Sequence, residues 1–321
     1  MATSDADGAS LQSTSPRFDV LALGEAMIEF NQAQRDDPAA WLQGFGGDTS
    51  NTAIAAARLG ARSGYVTRVG NDAFGRRLLD LWTREQVSTE GVAVDEEAPT
   101  GVYFVSHDEG GHAFSYLRSG SAASRMTAAS LPLSALCATR VLHLSGISQA
   151  ISASACDACF AAIDAARAAG ARVAYDTNLR LALWPLARAR AIIVDTLRSA
   201  DWALPSEDDA RRLFGTSDAD RIVDACHDAG SPLVVLKRGS SGCIVSDGRR
   251  REVIAGWNVV AIDATGAGDC FDGAFLARIV AGDDAFVSAR FANAAAALAT
   301  TGYGAVAPLP RADDVRRLLA A

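Results

Sequence analysis

The chain has 321 residues, 49% of them apolar, enough for one large α/β domain with a small appendage. Its formal net charge of −8 argues against a nucleic-acid partner, because phosphate backbones repel an acidic surface. No run approaches the roughly 18 apolar residues of a membrane span, and six scattered cysteines make no disulfide framework, so a cytoplasmic protein with reduced thiols and no membrane partner is expected.

Residues 1–16 are small and polar without an apolar core, which predicts a disordered tail ahead of a domain over 17–321. Residues 18–24 read as a buried first strand that ends at a glycine. Residues 47–60 read as a helix, with Ala53, Ala56, Ala57 and Leu59 on its apolar face and Gly60 closing it. A strand over 65–69 and a helix over 74–86 follow. Next come a strand over 140–144, a helix over 153–169, and strands at Arg172–Asp176 and 202–204. A helix near 218–229, a strand at Leu233–Lys237 and helices from Gly268 onward complete the pattern. Cys156 and Cys159 share one face of the 153–169 helix; with no second pair at zinc-site spacing they read as packing residues. This alternation predicts an α/β fold, a mostly parallel sheet covered by helices on both faces. Segments near 30–45 and 92–118 hold short extended runs without helices. Within the second, runs over 102–107 and 112–118 flank Asp108-Glu-Gly-Gly111, a hairpin signal. Both segments are predicted to form a small β lid.

The most informative stretch is Asp263-Ala-Thr-Gly-Ala-Gly-Asp269, which follows an extended run over 259–262 and opens a helix. Gly266 and Gly268 permit a tight turn and close ligand approach. Backbone amides at the helix start, aided by the helix dipole, suit phosphate oxygens. Asp269 in the first turn is placed to take a proton from an attacking hydroxyl. Taken alone, the stretch reads equally well as an ordinary glycine-rich loop with an acid at a helix N-terminus. It is neither a Walker A loop nor a dinucleotide fingerprint.

A second stretch, Gly46-Gly47-Asp48-Thr49-Ser50-Asn51-Thr52-Ala53 followed by Gly60 and Gly70, lies over two hundred residues upstream. The pair resembles the two signatures of the ribokinase-like (PfkB) carbohydrate kinases, and the resemblance runs from about Phe18 onward. It implies a ribokinase-like fold and ATP with Mg²⁺ as cofactors. Asp269 would be the general base, and the amides of Gly266, Ala267 and Gly268 the anion hole. Gly46, Gly47, Asp48 and Asn51 would line the sugar pocket.

Three further segments are similar to those of 2-keto-3-deoxygluconate kinases: Tyr103 with Tyr116-x-Arg118, Leu144-Ser-Gly-Ile-Ser148, and Asp176-x-Asn178-x-Arg180. The resemblance implies that Tyr103, Tyr116, Arg118 and Arg180 contact a sugar acid, whose carboxylate suits a planar guanidinium. Tyr103 and Tyr116 also read as hairpin packing residues, and the arginines as surface ion pairs or, for Arg180, a contact to an ATP phosphate; a sibling kinase for fructose, ribose or 2-keto-3-deoxygalactonate, or a non-catalytic sugar-acid sensor, stays open. On the nucleotide side it implies Lys237, Gly239, Gly242, Thr265, Gly266, Gly268 and Asn293, although the glycines after Lys237 equally suit a tight hairpin into the strand Cys243–Ser246. Where the family often carries Asn-x-x-Glu to help hold magnesium, this chain has Ser206-Glu-Asp-Asp209, and the metal ligands stay open. Ala264 replaces a common hydroxyl residue, so a monovalent cation also stays open. Projecting lids of this kind imply a homo-oligomer.

Overall fold

The first strand, β1 (Phe18–Leu23), is apolar on both faces, as a strand buried inside a parallel sheet must be. The computed structural model describes residues 16–32, 37, 39–108 and 111–320. The tail expected over 1–16 lies, Pro16 apart, outside the described residues, as do the central two residues of the hairpin turn. Twelve further strands follow among the described residues: β2 (Met27–Asn31), β3 (Leu42–Gly46), β4 (Ser63–Gly70), β5 (Ser88–Asp95), β6 (Val102–Asp108), β7 (Gly111–Leu117), β8 (Thr139–Ser145), β9 (Arg172–Asp176), β10 (Trp202–Ala203), β11 (Leu233–Lys237), β12 (Cys243–Ser246) and β13 (Arg251–Ile254). The helices are α1 (Asp48–Arg58), α2 (Ala73–Arg84), α3 (Leu133–Leu136), α4 (Gly146–Ala150), α5 (Ala153–Ala168), α6 (Leu186–Leu197), α7 (Glu207–Phe214), α8 (Ala219–Ala229), α9 (Ala267–Ala281), α10 (Ala285–Ala299) and α11 (Ala312–Ala320).

Nine strands form the large sheet in the order β13-β12-β11-β10-β9-β8-β1-β4-β5. Every neighbouring pair from β11 to β5 is parallel, and only the β11–β12 and β12–β13 pairs at one edge are antiparallel. One apolar layer packs residues of α1, α2, α9 and α10 on one face of the sheet, and another packs α5, α6, α7 and α8 on the other. The predicted doubly covered parallel sheet is what the chain forms. Helix starts are set by side-chain caps: Asp72 accepts from Gly75 N at 2.7 Å, and Ser152 from Ala155 N at 3.0 Å. Cys156 and Cys159 are buried on the core side of α5, and burial pushes both thiols up.

The second sheet has four strands in the order β3-β2-β6-β7. Its β6–β7 hairpin pairs Tyr103 with Tyr116, and β2–β6 is a parallel pair inside the lid. The lid segment expected from residue 92 begins later, because residues 92–95 belong to β5, which pairs with β4 at the edge of the large sheet. The other segment begins earlier, with β2 at Met27. One face of the lid docks onto the large core: Phe30 stacks on Phe104 at 5.5 Å and meets Phe74 of α2 edge-on at 5.9 Å. The opposite face carries Glu29, Tyr103 and Tyr116.

Candidate active site

Because β1, β8, β9, β10 and β11 are parallel neighbours, their C-terminal ends gather along one edge, where open α/β sheets bind ligands. Those ends supply Glu25, Ser145, Asp176, the Ser206–Asp209 turn and Lys237. Helices α1 and α9 pack side by side across this edge and bring the two glycine-rich stretches together. The Asn51 side chain donates to Asp269 Oδ2 at 2.8 Å, and Thr52 Oγ1 donates to the Asp269 carbonyl at 3.2 Å. Asn51 and Asp269 are 218 positions apart in sequence.

Asp269 sits in the first turn of α9, its side chain partly open to solvent. Gly266 precedes the helix with φ of 75°, and a Cβ there would stand 3.0 Å from Ala305 atoms. The Cys270 amide closes the first helical bond onto Gly266 O at 2.8 Å. The amides of Gly266, Gly268 and Asp269 make no bond to the described residues, whereas Ala267 N turns back to Ala264 O at 3.2 Å. Of the three amides expected to form an anion hole, those of Gly266 and Gly268 are unbonded and that of Ala267 is engaged, while the amide of Asp269 itself is also unbonded. Burial, and then the neighbouring Asp48 carboxylate, push the Asp269 acid from 3.8 up to about 7, against the Asn51 hydrogen bond.

Asp48 opens α1 behind Gly47, whose φ of 117° and would-be Cβ contact of 2.5 Å to Glu25 O admit only glycine. Asp48 Oδ2 accepts from Ser145 Oγ and from Asn178 Nδ2, the latter at 2.8 Å. Both donors converge on one oxygen. Asn178 holds φ of 25°, a left-handed value uncommon outside glycine, and reaches Asp48 from there.

The other sugar-side residues are present but already engaged. The Arg118 guanidinium donates to the buried Glu25 carboxylate, which also accepts from Ser121 Oγ, so Arg118 is engaged within the protein. It also lies 5.8 Å from the Tyr116 ring centroid. The Tyr103 hydroxyl donates to Glu29, and the ring stacks on Tyr116 at 5.8 Å. Gly46 lies against that ring: a Cβ would stand 2.3 Å from the Tyr103 hydroxyl. Arg180 differs. Its side chain is 50% exposed, pairs with Asp209 at 3.7 Å and donates to Leu179 O at 3.0 Å. Of the two arginines expected to meet the sugar, it is the more exposed, 50% against 11% for Arg118.

On the nucleotide side, Gly239–Ser241 forms a single 3₁₀ turn between β11 and β12. Gly242 has φ of 91°, and a Cβ there would stand 2.0 Å from Ile254 O, so the hairpin itself demands this glycine. Thr265 Oγ1 donates to Asp263 Oδ1 at 2.6 Å, and Gly304 N donates to Asp263 Oδ2 at 2.9 Å. Val260, Ile262 and Tyr303 are exposed apolar side chains in these loops. Two expected nucleotide contacts have structural employment instead. Asn293 is buried and donates to Ile254 O at 3.2 Å and Ala255 O at 3.3 Å. Lys237 is buried and bonded to Asp176 and Asp272.

The acids at the start of α7 divide their labour. Ser206 caps the helix, accepting from Asp209 N at 3.3 Å. Glu207 accepts from Arg211 at 2.9 Å and Arg238 at 3.2 Å, and Asp208 is exposed. Asp209 alone faces Arg180 and the β9 loop, accepting from Leu179 N at 3.2 Å. Among the described residues no cluster of three metal-ligating side chains occurs. This donor set suits Mg²⁺ carried mainly by phosphate oxygens and water, with one carboxylate nearby.

Sequence reasoning did not single out Glu25, Glu29, Ser145 or Asp272 as site residues. The available signal was an acid directly after a buried strand for Glu25, and Asp272 one helical turn beyond Asp269. A pH dependence follows from the Asp269 shift. A base must be ionised to act, so kcat/KM of the free enzyme should rise with pH through about 7 and level off above it. A pH–rate profile flat from about pH 5 to 8 would remove Asp269 from that role.

A family model described as pfkB family carbohydrate kinase matches residues 17–312. Fructokinase-2 of Zea mays is 34% identical over 316 residues, covering 94% of each chain. The 2-dehydro-3-deoxygluconokinase of Thermoproteus tenax is 34% identical over 311 residues, again covering 94% of each. The crystal structure of a putative ribokinase II from E. coli in complex with ATP and Mg²⁺ superposes with a TM-score of 0.87 at 26% identity, covering 96% of this chain and 99% of that one.

Proposed function

Since this chain belongs to the pfkB family of carbohydrate kinases, we propose that it transfers the γ-phosphoryl group of ATP to the terminal hydroxyl of 2-keto-3-deoxygluconate, yielding the 6-phosphate and ADP. The observation that carries this reading is Asp269 at the mouth of α9, held by Asn51 beside three unbonded amides. Asp269 takes the hydroxyl proton as the sugar oxygen forms its bond to phosphorus and the bond to the ADP oxygen breaks. The amides of Gly266, Gly268 and Asp269 stabilise charge on the transferring group. Mg²⁺, when bound, neutralises phosphate charge, and Asp209 would help hold it through water. The lid sheet covers the sugar and excludes water, which limits loss of ATP to hydrolysis.

The sugar-acid assignment rests on Arg180, whose half-exposed guanidinium, paired with Asp209 at 3.7 Å, would turn to a substrate carboxylate, and on Tyr116 and Arg118 of the lid hairpin and the loop after it. The Arg118–Glu25 pair favours a second reading, a neutral ketose such as fructose, because it removes one cation from the sugar side. A coupled ADP-release assay with 2-keto-3-deoxygluconate, fructose and ribose separates the two. The sugar acid should lead in kcat/KM, and Arg180→Met should raise its KM by roughly 10–100-fold, the worth of one charge-assisted hydrogen bond. Fructose as the preferred substrate, with Arg180→Met neutral, would establish the second reading instead. We also propose a homo-oligomer joined through the lid, where Leu42, Phe114, Tyr116 and Leu117 are exposed. A monomer mass by light scattering would remove that assignment.

A further inference from the structure

Lys237 ends β11, a strand buried along its whole length, and the residue itself is 8% exposed. An ammonium has three protons to donate and no acceptor. Here Nζ lies 2.9 Å from Asp176 Oδ2, 2.8 Å from Asp272 Oδ1 and 2.9 Å from Asp272 Oδ2. Three acceptors thus satisfy three protons, and none is left for a phosphate oxygen. The lysine nonetheless lies directly behind the anion hole, since a Cβ on Gly268 would stand 3.8 Å from Nζ.

The two acids lead to the two halves of the site. Asp272 lies on α9 one turn beyond Asp269, so its bond to Lys237 pins the turn that presents the base and the free amides. Asp176 ends β9 and accepts from Asn178 N at 3.1 Å, and the Asn178 side chain holds Asp48 at 2.8 Å. The three groups are coupled by their contact. Burial opposes all three ions, but the two carboxylates keep the ammonium charged and the ammonium keeps Asp176 ionised. Burial outweighs the ammonium at Asp272, whose acid is pushed well up.

We infer that Lys237 is a positioning residue: it ties the ends of β9 and β11 to the first turn of α9 and thereby fixes where Asp269 and, through Asn178, Asp48 stand relative to each other. It touches neither nucleotide nor sugar. The inference rests on the kinase reading with Asp269 as base, and the two can fail separately.

The test is the separation of kcat from KM in Lys237→Met and Asp272→Asn, with the affinity of a non-hydrolysable ATP analogue measured by calorimetry on the same samples. A misplaced base costs turnover and leaves binding alone, and displacement by about 1 Å can cost on the order of 100-fold. Lys237→Met should therefore lower kcat roughly 10–100-fold while KM for ATP, KM for the sugar and analogue affinity stay within about threefold. Should Lys237→Met fail to fold by circular dichroism, Asp272→Asn decides, because its carboxamide oxygen still accepts from Lys237. Its kcat should fall about 3–10-fold with binding unchanged. Two results overturn the inference. A tenfold or larger rise in KM for ATP with kcat preserved would make Lys237 a direct nucleotide contact, and unchanged kinetics in folded protein would make the cluster purely structural. An Asp269→Asn enzyme with full turnover would instead remove the base and leave the Lys237 result to be read as a plain kinetic effect.

Discussion

Asp269→Asn is expected to lower kcat by roughly 10²–10⁴-fold, the range for loss of a general base, with KM for either substrate little changed. The carboxamide keeps the shape of the side chain and still accepts from Asn51, so the geometry of α1 against α9 survives. The same change should stabilise the fold. The Asp269 acid is raised to about 7 in the folded chain, against 3.8 for the free group. Ionising it in place is therefore unfavourable. That penalty is absent below about pH 4, where both folded and unfolded chains are protonated. It grows as pH rises toward 7, where only the unfolded chain is ionised, and is constant above. Replacing the acid with its amide should raise stability by on the order of 1–3 kcal/mol at pH 8 and by almost nothing at pH 4. Thermal melts at both pH values check the sign. A variant that is slow but no more stable at pH 8 would mean that the carboxylate is not held at an ionisation cost.

Gly273→Ala is expected to damage stability and turnover together. Gly273 lies on α9 where it crosses α1, and a Cβ there would stand 2.5 Å from Thr52 O and 2.6 Å from Ala55 Cβ. These neighbours are helix backbone and a short side chain, which cannot swing aside. In an exposed helix, glycine to alanine is favourable by about 1 kcal/mol. Here overpacking of about 1–3 kcal/mol opposes it and should win, lowering the melting temperature by several degrees. The helices would be pushed apart at the place where Asn51 and Thr52 meet Asp269, so kcat should fall as well. A melting temperature that rises would show that the two helices are free to part at this crossing.

Much of the frame was legible because its physics is local. Strands such as Phe18–Leu23 are continuous apolar runs, and α1 and α5 announce themselves by alanine-lined faces and closing glycines or caps. The glycines at 47, 242 and 266 mark positions where left-handed backbone or close approach is required. Asp269 and Asn51 could be named because each belongs to a glycine-rich stretch. The pairings could not. That Arg118 is bound to Glu25, Tyr103 to Glu29 and Lys237 to Asp272 depends on contacts between residues 93, 74 and 35 positions apart. Nothing in local spacing shows which arginine ends up buried against an acid and which, like Arg180, ends up half exposed. The β5 boundary was missed for a related reason: residues 92–95 are a short extended run like those of the lid, and only the parallel register with β4 assigns them to the large sheet.

The most direct measurement is phosphorus NMR of the reaction of ATP and 2-keto-3-deoxygluconate with Mg²⁺ and the wild-type chain. A phosphomonoester resonance coupled to a methylene group should grow in step with ADP, marking transfer to the terminal hydroxyl. ADP appearing with inorganic phosphate and no ester, or an ester that forms only when fructose replaces the sugar acid, would contradict the assignment.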